Sequence, residues 1–110
     1  MLTKLLTSPT RRRRLPMKRI EIIANNAVED DIAEALREFE AGKKYTKIVG
    51  VMGEGRSTPK HGDSIWPEEN FIMIIYCEDQ EAQAIKTAIS RVKQVFPNEG
   101  IKLFEMSSSI

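Results

Sequence analysis

An α+β fold of order strand, helix, strand, strand, helix, strand is predicted by three observations. Four short runs are rich in β-branched and aromatic residues, two apolar stripes at helical spacing fall between them, and acidic caps with glycine or proline stops bound those stripes. The chain has 110 residues, enough for one domain with a modest core.

The first strand is "KRIEIIA", 18–24, Ile-rich and short. In "NNAVEDDIAEALREFEAGKK", 25–44, the residues Val28, Ile32, Ala35, Leu36 and Phe39 share one helix face. Asn25 or Asn26 can cap that helix, Glu29, Asp30 and Asp31 suit the positive end of its dipole, and Gly42 with Lys43 and Lys44 suits its end. "TKIVGVMG", 46–53, and "FIMIIYC", 71–77, read as the second and third strands. After Glu78 or Asp79 as cap, Ile85, Ala88, Ile89, Val92 and Phe96 form the second helical stripe, which Pro97, Asn98 and Gly100 terminate. "IKLFEM", 101–106, alternates Ile101, Leu103 and Glu105 against Lys102, Phe104 and Met106, as a short last strand would. Two helices on one face of a four-stranded antiparallel sheet is the economical packing for this order, the ferredoxin-like βαββαβ arrangement.

Residues 1–16 form a separate basic arm with Lys4, Arg11, Arg12, Arg13 and Arg14 and no acid. The other residues hold 12 of the 17 basic and all 16 acidic side chains, so the globular part is mildly acidic at net −4. Met17 opens the first regular segment, and the arm reads as a disordered tail or as a stretch not native to the domain. The domain is expected over 17–106, with a long loop over 54–70 and a tail over 107–110. One cysteine, Cys77, and one histidine, His61, cannot supply a zinc site of the usual spacings or an internal disulfide. No run approaches the roughly 18 apolar residues that span a bilayer, and "MLTKLL" is shorter than a signal h-region of about 7 to 15 residues. A reducing, cytoplasmic setting with no structural metal is expected.

The third strand is apolar on both faces: Phe71, Met73 and Ile75 point one way, Ile72, Ile74 and Tyr76 the other. Helices cover only one of these. A bare apolar sheet face marks an interaction surface, so a homo-oligomer that buries it is expected, the alternative being that the long loop folds back over it.

That loop, "GEGRSTPKHGDSIWPEEN", has no apolar rhythm and exceeds the length of ordinary connections. Gly53 and Gly55 free the backbone and allow close approach of a ligand, and Arg56 offers a planar fork of donors for a phosphate or carboxylate. Lys60, His61, Asp63 and Trp66 supply a cation, a titratable ring, turn chemistry and an aromatic anchor, the equipment of a partner-binding loop.

The strand order, the "GVMGEGR" run closing the second strand, the long loop and the acid-capped helix after an apolar strand together resemble the nitrogen-regulatory P-II signalling family, over about residues 17 to 106. The resemblance implies a ferredoxin-like trimer that binds adenine nucleotides in clefts between subunits, and a loop, the T-loop, that docks on transporters, enzymes or regulators. It implies a nucleotide-binding role for Gly53, Gly55 and Arg56. Of the family's second glycine-rich segment only Gly100 and Lys102, in "PNEGIK", remain as candidates. The basic residues that typical members place after the last strand and the loop tyrosine that they modify are missing from this sequence, so a divergent P-II-like protein is expected.

On this reading the protein is a regulatory module, not an enzyme. It requires no cofactor, its effector is an adenine nucleotide or another small anion, and its partners are two copies of itself and a transporter or enzyme. An acylphosphatase-like enzyme would need an arginine-bearing anion loop after the first strand, where this chain has the acidic "NNAVEDD". A nucleic-acid-binding module would rest on the N-terminal arginine run alone, because the strands carry few basic residues to follow phosphates.

Overall fold

The computed structural model describes residues 17–53 and 69–108. Along the chain run β1 (Met17–Asn25), a 3-10 turn (Asn26–Val28), α1 (Glu29–Glu38), β2 (Thr46–Met52), β3 (Glu69–Glu78), α2 (Asp79–Val95) and β4 (Ile101–Ser108). This is the predicted order. The strands form one sheet, β2-β3-β1-β4, in which every neighbour is antiparallel.

Strand alternation decides what the sheet buries. Ile20, Ile22 and Ala24 of β1 lie opposite Ile75, Met73 and Phe71 of β3 and, on the other side, opposite Glu105, Leu103 and Ile101 of β4. The apolar members of this face pack with Ile32, Ala35 and Leu36 of α1 and with Ala82, Ile85, Ala88, Ile89 and Val92 of α2 in one core. Fully burying a side chain as large as Ile85 or Phe71 contributes about 1.5–3 kcal/mol each, so the two helical stripes and the inner sheet face specify each other.

Asn25 caps the first helical segment as expected, its Oδ1 accepting from the Ala27 amide at 2.7 Å, but it does so through a 3-10 turn that precedes α1. The end of α1 differs from expectation. The helix stops at Glu38, and Glu40, not glycine, takes the left-handed position at φ 52°. The Glu40 amide donates to Arg37 O at 3.0 Å and the Ala41 amide to Leu36 O at 3.0 Å, the paired bonds of a Schellman stop. Gly42, also left-handed at φ 69°, is needed two residues later, where an added Cβ would lie 3.3 Å from Ile75 Cδ1. Its amide donates to Glu81 Oε2 at 2.8 Å, tying this turn to the start of α2.

Three strand boundaries also differ. β2 contains a bulge between Ile48 and Val51, with Gly50 at φ 69° absorbing the extra residue. β3 begins at Glu69, so the last two residues assigned to the long loop pair instead with Met52 and Val51. β4 runs to Ser108, because Ser107 and Ser108 find partners in Lys18 and Met17 where a tail was expected. Lys47 reaches from β2 to the carboxylate of Glu29 and lies 5.9 Å from the centre of the Phe71 ring, holding the outer strand to the first turn of α1.

Candidate functional site

Two adjacent surfaces are built by the sheet: a rim at one end, where β2 ends and β3 begins, and the face turned away from the helices. At the rim, β2 ends at Met52, opposite Glu69, and Asn70 lies between Val51 of β2 and Asn25 of β1. The Asn25 amide donates to Gly100 O at 3.0 Å, which brings the start of β4 to the same edge. Thus Gly53, at the loop base, and Gly100 and Lys102, at the start of the last strand, share one end of the sheet although some fifty positions separate them in sequence.

Their individual settings are distinct. Gly53 keeps an ordinary backbone φ, and its value lies in closeness: an added Cβ would meet Asn70 Nδ2 at 3.3 Å. Gly100 has neither a left-handed φ nor a crowded Cα, so it leaves room without being sterically required. Lys102 lies opposite Ile23 and is exposed, a cation at the edge of the open face. Gly55, Arg56, Lys60, His61, Asp63 and Trp66 lie outside the described residues.

The open face follows the sequence pattern closely. Ile72 and Ile74 of β3 and Ile23 of β1 are half-buried, while Ile48, Tyr76, Phe104 and Met106 remain 45%, 49%, 47% and 40% exposed. These residues come from all four strands, so the patch is continuous across the sheet. Among the described residues nothing covers it. What the sequence reading missed is a polar group within it: Arg19 pairs with Glu21 and donates to the Tyr76 hydroxyl. The clue was available, since residues two apart on a strand share a face. The hydrogen bonds to Glu21 and then to Tyr76 raise the Arg19 pKa above its usual value.

Elsewhere, Lys86 Nζ lies 2.8 Å from Glu105 Oε1, and this hydrogen bond holds the Glu105 carboxyl below the usual range. Cys77 is buried on the helix side of β3, where loss of solvent, and then the nearby Glu81, Glu105 and Asp79, push its thiol up to about 11. A thiol so shifted holds little thiolate at neutral pH and is a poor nucleophile there. Two shallow cavities, of about 350 Å³ beside Lys86, Lys93 and Leu103 and about 570 Å³ beside Met17, Cys77 and Glu78, are lined by none of Gly53, Gly100 and Lys102. Among the described residues no group of three His, Cys, Asp or Glu side chains is placed to hold a metal, and no helix is long and apolar enough to cross a membrane.

A ferredoxin-like sheet, one face of which no described residue covers, with residues 53–68 between its second and third strands, defines the class. The model of the nitrogen regulatory protein P-II family matches residues 17–107, and the chain belongs to that family. Solved structures agree in fold. CPII, a nitrogen regulatory PII-like protein from Thiomonas intermedia K12 bound to ADP, AMP and bicarbonate, superposes with a TM-score of 0.63 at 18% identity, over 86% of this chain and 92% of that one. A PII-like signalling protein from Thermus thermophilus gives 0.55 at 20% identity, over 87% and 90%. A GlnK–ATP complex from B. subtilis gives 0.54 at 15% identity, over 86% and 84%. None of the curated proteins matches the chain.

Proposed function

We propose that the protein is a P-II-like regulator that works as a homotrimer, with its open sheet faces turned inward and its long loops free to engage a partner. The observation that carries this reading is that Gly53, Gly100 and Lys102 lie at one end of the sheet, at its two outer strands, beside an apolar face that no described residue covers. In such an assembly a small anion held at the rim touches the base of the loop, including Gly55 and Arg56, and the start of β4. By favouring one loop conformation it alters affinity for a transporter or enzyme in the cytoplasm.

The effector is an adenine nucleotide, bicarbonate, or the two together; the nucleotide and bicarbonate bound by the Thiomonas protein supply that choice. The protein acts by binding, without a required cofactor and without catalysis. Support comes from the first turn of α1, which follows β1 and presents Glu29, Asp30 and Asp31 where an acyl-phosphate enzyme would need a cationic cradle. Calorimetric titration of the full chain with ATP, ADP and AMP, each with and without bicarbonate, tests the reading. Saturable binding of at least one nucleotide is expected. No heat and no competition with any of them would overturn the assignment of the effector class.

A further inference from the structure

The middle of the open face carries charge. Glu21 lies on β1, an inner strand, flanked by Ile74 of β3 and Phe104 of β4. Arg19, on the same face, lies between Tyr76 and Met106. Its Nε–H donates to Glu21 Oε2 at 2.9 Å, Nη2 sits 2.7 Å from that same oxygen, and Nη1 donates to the Tyr76 hydroxyl, with the guanidinium carbon 5.5 Å from the centre of the Tyr76 ring. All three guanidinium nitrogens are therefore engaged inside one chain.

A solvated strand face gains little from such an arrangement, since exposed ion pairs contribute weakly. On a covered face the situation reverses, because a lone buried charge is costly and a fully hydrogen-bonded pair is tolerated. The pair is neutral, and Ile23, Ile72, Ile74 and Phe104 surround it. The other charged groups on this face stand at its margins: Lys102 on β4 toward the loop rim and Glu78 at the far end of β3. A neutral, largely apolar surface with a small polar centre fits a surface of the same character, not a strongly acidic or basic partner.

We infer that Arg19, Glu21 and Tyr76 form a self-neutralised polar lock that allows this sheet face to be covered by further copies of the chain and selects the register in which the lock stays closed. The inference rests on the trimeric reading above. Arg19 is a positioning residue here: it acts by keeping Glu21 compatible with burial.

The test is sedimentation velocity of the full chain through a dilution series at pH 8, with circular dichroism to show that each variant is folded. The wild type is expected to assemble. Arg19→Met, which leaves the Glu21 carboxylate without its partner on the face to be covered, should need about 100-fold more protein to assemble. The double variant Arg19→Met/Glu21→Met, which removes both charges, should recover wild-type assembly. Arg19→Met that assembles like the wild type, or a double variant that stays as weak as Arg19→Met, would overturn the lock. If Arg19→Met does not fold, Glu21→Gln carries the test: it leaves Arg19 without its carboxylate, and assembly should weaken, unchanged assembly being the contrary result. A monomeric wild type would overturn the trimeric reading itself and is distinguished by the unmutated sample alone.

Discussion

The backbone amide of Gly42 donates to Glu81 Oε2 at 2.8 Å, and this one bond joins the turn after α1 to the first turn of α2, thirty-nine positions further along the chain. Gly42 is buried, so removing the acceptor leaves a backbone donor without water to replace it. Glu81→Ala is expected to destabilise the domain by about 1–3 kcal/mol in urea or thermal unfolding. Gly42→Ala should cost at least as much, because it adds a left-handed backbone penalty of about 1–2 kcal/mol to contact with Ile75 Cδ1 at 3.3 Å.

A residue two positions earlier supplies the opposite sign. Glu40 occupies the left-handed position that glycine usually fills at a Schellman stop. Glu40→Gly relieves that strain while enlarging the freedom of the unfolded chain, so a net gain of roughly 0.5–1 kcal/mol is expected. Differential scanning calorimetry would register it as a higher Tm, and a lowered Tm would show that Glu40 makes a compensating interaction.

These two residues also show where the sequence was legible and where it was not. The helix faces were readable because burial imposes a period of 3.6, and Val28, Ile32, Ala35, Leu36, Ile85, Ala88, Ile89 and Val92 are buried as that period requires. The bare sheet face was readable from β3 alone, since Ile72, Ile74 and Tyr76 alternate with Phe71, Met73 and Ile75. The helix stop was misplaced because glycine is the usual left-handed residue and the pattern offered Gly42, two positions late. Ser107, Ser108, Glu69 and Asn70 join strands because partners on β1 and β2 are in register, a tertiary cause that local composition does not carry. At the rim, the pairing of β3 with both β1 and β2 sets Gly53 at the same end of the sheet as Gly100 and Lys102, at the opposite outer strand, which sequence separation conceals. The Arg19–Glu21 pair is not legible in β3, whose alternation reveals the bare face but not the charged side chains that β1 sets on it.

Burial of Cys77 gives a pH dependence with a definite sign. The folded thiol is pushed up to about 11 from its ordinary value of 9.0. Between those values the unfolded chain has lost its proton and the folded chain retains it, so stability falls as pH rises from about 9 toward 11 and levels off above. The loss is on the order of 2 kcal/mol. Cys77→Ala, compared with wild type in urea at pH 8 and pH 10.5, should remove most of the difference between the two conditions. The native thiol should also react with a disulfide reagent at pH 8 only on the timescale of unfolding; reaction within the mixing time would place it at the surface.

The loop and the rim are expected to separate ligand affinity from assembly. Arg56→Ala should weaken nucleotide affinity about 10-fold or more, the loss of a charge-assisted contact, while the sedimentation coefficient stays that of wild type. Lys102→Ala should act in the same direction. Deletion within 57–68 should abolish partner binding and leave the thermal transition of the domain in place. Wild-type affinity in Arg56→Ala would remove the loop base from the site.

The assembly, ligand and partner outcomes depend on what lies against Ile48, Ile72, Ile74 and Phe104. Sedimentation equilibrium on the full chain at micromolar concentration addresses that directly. A mass three times the 12.5 kDa of one chain is expected, with the sheet faces enclosed. A single species of 12.5 kDa that persists as concentration rises would contradict the account.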